Sequence, residues 1–274
     1  MRPQATVPAT LGGGLHYSLM PGYWLLARMG KRVLRPGGIE LTRQMLDALD
    51  IGASDDVVEF APGFGVTARA TLDRGPRSYV GIERDEDAAK HVRGYLSGKN
   101  QQCLVGRAEE TGLPDRSASV VYGEALLTMQ TAEQRASIVA EAARVLRAGG
   151  RYGIHELALD PDGLAEATKS EIQHALSDAI LSGAIHLGAR TLTASEWREL
   201  LAAQGFDVKT QIGAPMHLLE PKRLIRDEGL LRALRFVWNV AKTPAARKRI
   251  RAMRAIFRRY AKHLVATAIV AVRS

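Results

Sequence analysis

Two kinds of apolar spacing alternate along the chain. Short, nearly continuous apolar runs at 57–60, 79–83, 103–106, 119–122, 151–157, 206–212 and 263–272 predict strands. Between them apolar residues recur every three or four positions, as with Leu41, Met45 and Leu49, or Trp197, Leu200 and Leu201. That spacing gives a helix one face to bury. Local start and stop signals agree. Asp85 or Asp87 can cap a helix running to about 96, Thr131-x-x-Gln134 and Thr193-x-x-Glu196 are capping boxes, and Gly149-Gly150 and Gly205 are stops. Strand and helix in alternation predict an α/β sheet wound with helices on both faces. Two stretches fall outside this pattern. Residues 1–50 begin as a Pro-, Gly- and Ala-bearing arm and continue with Tyr17, Met20, Tyr23, Trp24, Leu25 and Leu26, which predict one or two short helices. Residues 214–262 carry a helix at 230–240 and another opening at Pro244. The expected division is an arm and helical cap over 1–50, then one α/β domain over 51–274 with a helical insertion at about 214–262.

Candidate chemistry gathers where the first strand ends. The run Val57-Val58-Glu59-Phe60-Ala61-Pro62-Gly63-Phe64-Gly65 is a buried strand entering a glycine turn that opens a helix. Gly63 and Gly65 let the backbone turn tightly and let a ligand come close. Helix N–H groups would point at that ligand. Glu83, twenty residues beyond Gly63 at the end of the next strand, is placed to accept two ribose hydroxyls. Gly63-x-Gly65-x-x-Ala68 is also an acceptable dinucleotide fingerprint, so a nicotinamide-dependent oxidoreductase stays open at this point. Glu59 weighs against it, because a carboxylate there would repel a pyrophosphate.

The run 59–65 resembles the first motif of class I S-adenosylmethionine-dependent methyltransferases, with Ala61 in place of its first glycine. Residues 106–121, Gly-Arg-Ala-Glu-Glu-Thr-Gly-Leu-Pro-Asp-Arg-Ser-Ala-Ser-Val-Val, closely resemble the same family's Gly-Asp-Ala-Glu…Leu-Pro segment, with Arg107 where that family has Asp. A weaker likeness covers 35–42, just ahead of the first motif, where Gly38 or Thr42 would lie near the amino-acid end of the cofactor; a plain helix start explains that string as well. The resemblance covers 38–157 well and 193–274 by pattern only. It is of the kind typified by ubiquinone/menaquinone and other small-molecule methyltransferases. It implies a Rossmann-like seven-stranded sheet of order 3-2-1-4-5-7-6 with the last strand antiparallel, and S-adenosyl-L-methionine as cofactor. It further implies Glu59 near the cofactor's ammonium, and the backbone of Ala61, Pro62, Gly63 and Gly65 at its methionine end. Glu83 would lie on the ribose with Arg84 beside it, and the backbone of Ala108, with Glu109, on the adenine. Arg107 has no acceptor to offer the adenine amine and is left with stacking. Glu124, ending the fourth strand, faces the same crevice. His155 or Glu124 would serve as base if the acceptor needs one, and Tyr17, Tyr23, Trp24, Met129 and His155 would line the acceptor site.

Composition changes this picture at the margins. The chain has 274 residues and a net charge of +9, and nine Lys/Arg with no acid fall between Lys242 and Lys262. Arg247, Arg251, Arg254 and Arg258 share one face of the helix opening at Pro244. A solvated surface helix explains that face, and a peripheral membrane contact through 244–262 is the sharper alternative. Nucleic acid is disfavoured as a partner, because stacking aromatics are not interleaved with these arginines. The single Cys103 excludes a disulfide framework and a multi-cysteine metal site, and is expected as a small buried hydrophobe. No apolar run reaches the roughly 18 residues of a membrane span. A cytoplasmic enzyme without a metal, acting on a small to medium and partly apolar molecule, is the expectation. An RNA methyltransferase and a non-catalytic binding protein of the same fold remain beside it.

Overall fold

The computed structural model describes Tyr17, residues 20–181 and residues 190–274. The expected arm at 1–14 and the loop residue His186 lie outside the described residues. Ten helices and eight strands are described: α1 (Gly22–Arg28), α2 (Gly38–Ala48), β1 (Asp56–Phe60), α3 (Val66–Leu72), β2 (Ser78–Glu83), α4 (Glu86–Arg93), β3 (Gln101–Val105), β4 (Ala118–Glu124), α5 (Ala132–Val145), β5 (Leu146–Leu159), α6 (Glu166–Leu181), β6 (Leu192–Thr193), α7 (Ala194–Ala202), β7 (Phe206–Pro215), α8 (Pro221–Glu228), α9 (Leu230–Lys242), α10 (Pro244–Arg259) and β8 (Leu264–Arg273). The main sheet runs β3-β2-β1-β4-β5-β8-β7, with β8 antiparallel to both neighbours. This is the expected order; the two-residue β6, paired to the end of β5, is the one strand the sequence reading lacks.

β1 lies in the middle, its Val58 level with Val80 of β2 and Val121 of β4. Residues on its two sides feed two apolar clusters. Val58 and Phe60 join Ile138, Val139 and Trp197, from α5 and α7. Val57 joins Leu41, Met45 and Leu49 of α2, and Ala68 of α3. Local signals set the helix starts: Asp85 caps α4, and the capping boxes at Thr131 and Thr193 form as their sequences predict. The helix expected to reach Leu146 ends at Val145, and β5 begins at once, four residues before Gly150. The pairing of Ala118 with Leu146 draws that segment into the sheet early.

A third apolar cluster sits beyond the ends of the strands. It joins Leu157 and Leu159 of β5 and Leu264 of β8 to α1, α6, α8, α9 and α10, through Met20, Leu25, Ile172, Phe236, Ile250 and Met253. The early helix and the late insertion therefore bury one another. Polar contacts reinforce this. Arg32 and Val33 donate their backbone N–H groups to Glu228 of α8 at 2.7 and 2.8 Å, and Asn239 of α9 donates to the Met29 carbonyl at 3.0 Å. The arginine face of α10 is partly engaged as well. Arg254 and Arg258 both clamp Glu220, and Arg259 reaches Glu171.

Candidate active site

The glycine turn is built from positive backbone angles. Ala61, Gly63 and Gly65 have φ of 53°, 54° and 64°. The first is unusual for a residue with a side chain, and marks the place where the methyltransferase motif has glycine. The turn is tied to β2 at both ends. Ala61 donates to the Ile82 carbonyl at 2.8 Å, and Gly63 donates to Glu83 Oε2 at 2.9 Å. The other Glu83 oxygen accepts from Asp85 N at 3.0 Å, so two backbone N–H groups aim this carboxylate. The two glycines differ in what surrounds them. A Cβ on Gly63 would meet nothing nearer than the Ala61 carbonyl at 4.0 Å, whereas one on Gly65 would fall 1.3 Å from the Tyr95 hydroxyl. Gly63 thus borders open space, and Gly65 is bare to admit Tyr95. α3 has only seven residues, so the turn's own backbone, more than a long helix dipole, faces that space.

Glu59, expected near the cofactor's ammonium, is engaged by two tyrosines. Its side chain is buried in the sheet, and Oε2 accepts from the Tyr79 and Tyr122 hydroxyls at 2.6 and 2.8 Å. Thr71 donates in turn to Tyr122 at 2.7 Å. Gly81 opposite Glu59 on β2 leaves room for this cluster. Burial pushes the Glu59 carboxyl up to about 8, against the pull of the two tyrosine hydroxyls and with the like charge of Glu124 adding to the rise. A carboxyl that keeps its proton cannot attract an ammonium by charge.

Glu124 and His155, the two candidate bases, are both engaged inside the fold. His155 has no exposed surface, and its Nδ1 meets Glu124 Oε1 at 2.7 Å while its Nε2 meets the Pro36 carbonyl at 2.6 Å. Neither ring nitrogen is free to face the crevice. Glu124 is equally engaged. Thr42 donates to it at 2.6 Å, Thr67 donates to its other oxygen, and Arg35 Nη1 lies 3.3 Å away. Burial works against its charge, yet Arg35, His155 and Thr42 hold its carboxyl down at about 2. The ion pair explains why a carboxylate can stand at the floor of the crevice. Glu156, the next residue along β5, accepts from the backbone of Leu126, Leu127 and Thr128 and fixes the loop after β4.

On the adenine side of the expected site, Arg107 and Glu109 pair with one another, Arg107 Nε donating at 2.7 Å. Ala108 between them is buried, and Arg84 is exposed beside Glu83. Above the turn, Trp24 meets Phe64 edge-on at 6.2 Å and Tyr23 at 5.3 Å. Burial raises the Tyr23 hydroxyl, with the charge of Arg84 working against the rise. Met129 is half-buried in a short 3-10 turn after β4. Tyr17 departs from this group. It packs into the helical cluster, beneath the Arg28 guanidinium, with its carbonyl accepting from Arg249 of α10.

Two contributors escaped the sequence reading. Arg35 is buried with Nη2 lacking any hydrogen-bond partner, directly beside Glu124. Tyr95 is half-buried, with its hydroxyl shielded and unpartnered against Gly65 and its ring under the Arg69 guanidinium at 4.3 Å. The Arg35-Pro36-Gly37-Gly38 string held the only signal for the first. Nothing local marks the second.

Residues 58–154 match a family model described as a methyltransferase domain. An uncharacterized protein of Haemophilus influenzae (strain Rd) is 29% identical over 225 residues, covering 81% of this chain and 86% of that one. Among solved structures, the cyclase SpnF superposes with a TM-score of 0.68 at 16% identity, over 94% of this chain and 93% of that one. Phosphoethanolamine N-methyltransferase 2 of Haemonchus contortus, solved with phosphomonomethylethanolamine and S-adenosylhomocysteine, gives 0.66 at 14% identity, over 92% of this chain and 57% of that one. At such identities the structures speak for the fold. Residues 58–154 thus match a methyltransferase domain, and the chain as a whole has the fold of the class I methyltransferases it superposes on.

Proposed function

We propose that this chain methylates a small to medium, partly apolar molecule held between the glycine turn and the helical layer above it. One observation carries the reading: the open space over Gly63 is bordered by an aimed carboxylate, Glu83, and by Trp24 packed edge-on against Phe64 of the turn. The same space fits the cofactor. Glu83 would hold the ribose, the backbone at 61–65 would approach the methionine end, and the orphaned Arg35 Nη2 would receive the methionine carboxylate in place of water. The Ala108 backbone would meet the adenine. When bound, S-adenosylmethionine supplies an activated methyl group on a sulfonium. The chain then has to align the acceptor in line with that methyl and keep water out. Tyr23, Trp24 and Met129 do this as apolar walls. His155 and Glu124 are both engaged inside the fold beside Arg35, so the favoured acceptor brings a nucleophile that needs no buried base, such as a neutral amine or a group already ionised. The ubiquinone/menaquinone type of acceptor remains one member of this class.

Titration calorimetry tests the reading. S-adenosylmethionine and S-adenosylhomocysteine should bind and NADH should not. Glu83→Ala should remove charge-assisted hydrogen bonds of about 1.5–3 kcal/mol and weaken the cofactor by about one to two orders of magnitude. Unchanged affinity in that variant would mean the ribose sits elsewhere.

A further inference from the structure

The basic part of the chain presents an apolar face to solvent, on α9 and not on α10. Leu230, Leu231, Leu234, Val237 and Trp238 are 59%, 83%, 58%, 56% and 60% exposed. At about 100° per residue they share roughly a third of the helix circumference. Ala233 and Phe236 on the opposite side are buried against the helical cluster, so α9 is already docked by its other face. Lys242 stacks over the Trp238 ring at 4.3 Å, and Arg235 is exposed along the same edge. From Gly229 to Lys262 there are eleven Lys/Arg and no Asp or Glu. Five protruding apolar side chains inside so cationic a segment need an occupant that is apolar within and anionic at its rim.

We infer that α9 seats the protein on an anionic lipid surface, with Leu231, Leu234 and Trp238 entering the headgroup–acyl boundary and Arg235 and Lys242 reaching the lipid phosphates. The chemistry selects this occupant. A second copy of the chain would press two cationic faces together. Nucleic acid has no partner for the leucines. An interfacial helix combines bulky apolar residues, a tryptophan and flanking cations in this way. The placement also matters for the crevice, because Asn239 of α9 holds the carbonyl of Met29 at the end of the helix that carries Trp24. A lipid-seated α9 would bring the cover of the site to the membrane, whichever acceptor is used.

Co-sedimentation of the full chain with phosphatidylserine-containing vesicles, against pure phosphatidylcholine vesicles, tests this directly. The chain should pellet with the anionic vesicles and not with the neutral ones, and Trp238 emission should shift to the blue, a shift absent in Trp238→Phe. Replacing Arg235 and Lys242 by Gln should weaken binding by about five-fold each. Leu231→Ser with Leu234→Ser should weaken it by about ten-fold or more while leaving the unfolding midpoint near wild type, since both side chains are already in water. Three results would overturn the inference: no anionic-vesicle binding at low salt, equal binding by the double-serine variant, or concentration-dependent dimers abolished by that variant.

Discussion

Glu59 shows how far a residue's surroundings outweigh its place in a motif. Its carboxyl keeps its proton up to about 8 because burial strips it of water. In the unfolded chain the same group ionises in the ordinary carboxylate range. Between those two values the native state binds the extra proton, so stability falls as pH rises through the window and levels off above about 8. Glu59→Gln should flatten that part of the profile, and should be more stable than wild type on the alkaline side of the window. Urea midpoints of both proteins across the range would show it; parallel profiles would mean the carboxyl is ionised in the fold. The motif made Glu59 legible as an acid at a strand end. Its partners were not legible, because Tyr79 and Tyr122 come from two other strands and only the sheet register sets them beside it. Glu83 is the opposite case, since a glycine turn and an acid at the end of the next strand are a local pattern with one geometry.

At the scale of elements, the strands and most helix starts could be read because each depends on a few neighbouring residues. The faces that helices bury could not. α9 and α10 are both amphipathic by sequence, and the cationic stripe drew attention to α10. In the fold α10 hides its apolar side at Ile250, Met253 and Phe257 and spends Arg254 and Arg258 on Glu220, while α9 leaves its leucines outside. The N-terminal helix is a further example. By sequence alone, residues before Arg35 look like a detachable cover, and a chain starting there is expected to fold and lose turnover. In the fold, Met20, Leu25, Leu26 and Met29 are all buried in the helical cluster. Each such side chain contributes about 1.5–3 kcal/mol, so their sum rivals the whole stability of a domain, about 5–15 kcal/mol. Lys31 is buried beside Asp227 and Glu228, and its loss would strand two carboxylates. The 35–274 fragment should therefore fail to unfold cooperatively in thermal melts. A sharp transition at the wild-type temperature would show that the helical layer stands without α1.

For the whole molecule, the cover and the crevice belong to different parts of the chain. The glycine turn, Glu83, Glu124 and His155 all lie within residues 59–155, and the sheet that holds them pairs mostly between near neighbours. The cover joins the beginning of the chain to its last quarter. Arg32 and Val33 reach Glu228 across 196 and 195 positions, and Arg249 reaches the carbonyl of Tyr17 across 232. Contacts so distant in sequence close slowly, because the loop must be shut before they repay it. On a ribosome the first helix can meet α6 and the end of β5 early, but its packing is incomplete until α8 to α10 have been made. During that wait its apolar side chains are a chaperone's concern, and the open space over the glycine turn, the proposed cofactor site, can form before it is roofed. Pulse-labelled hydrogen exchange during refolding should accordingly protect β1, β2, β4 and β5 ahead of α1, with α1 gaining protection together with α9 and α10. Protection of α1 in the earliest phase would instead mean that the cover nucleates on its own. An enzyme assembled in the first order can meet its cofactor early and its acceptor only at the end.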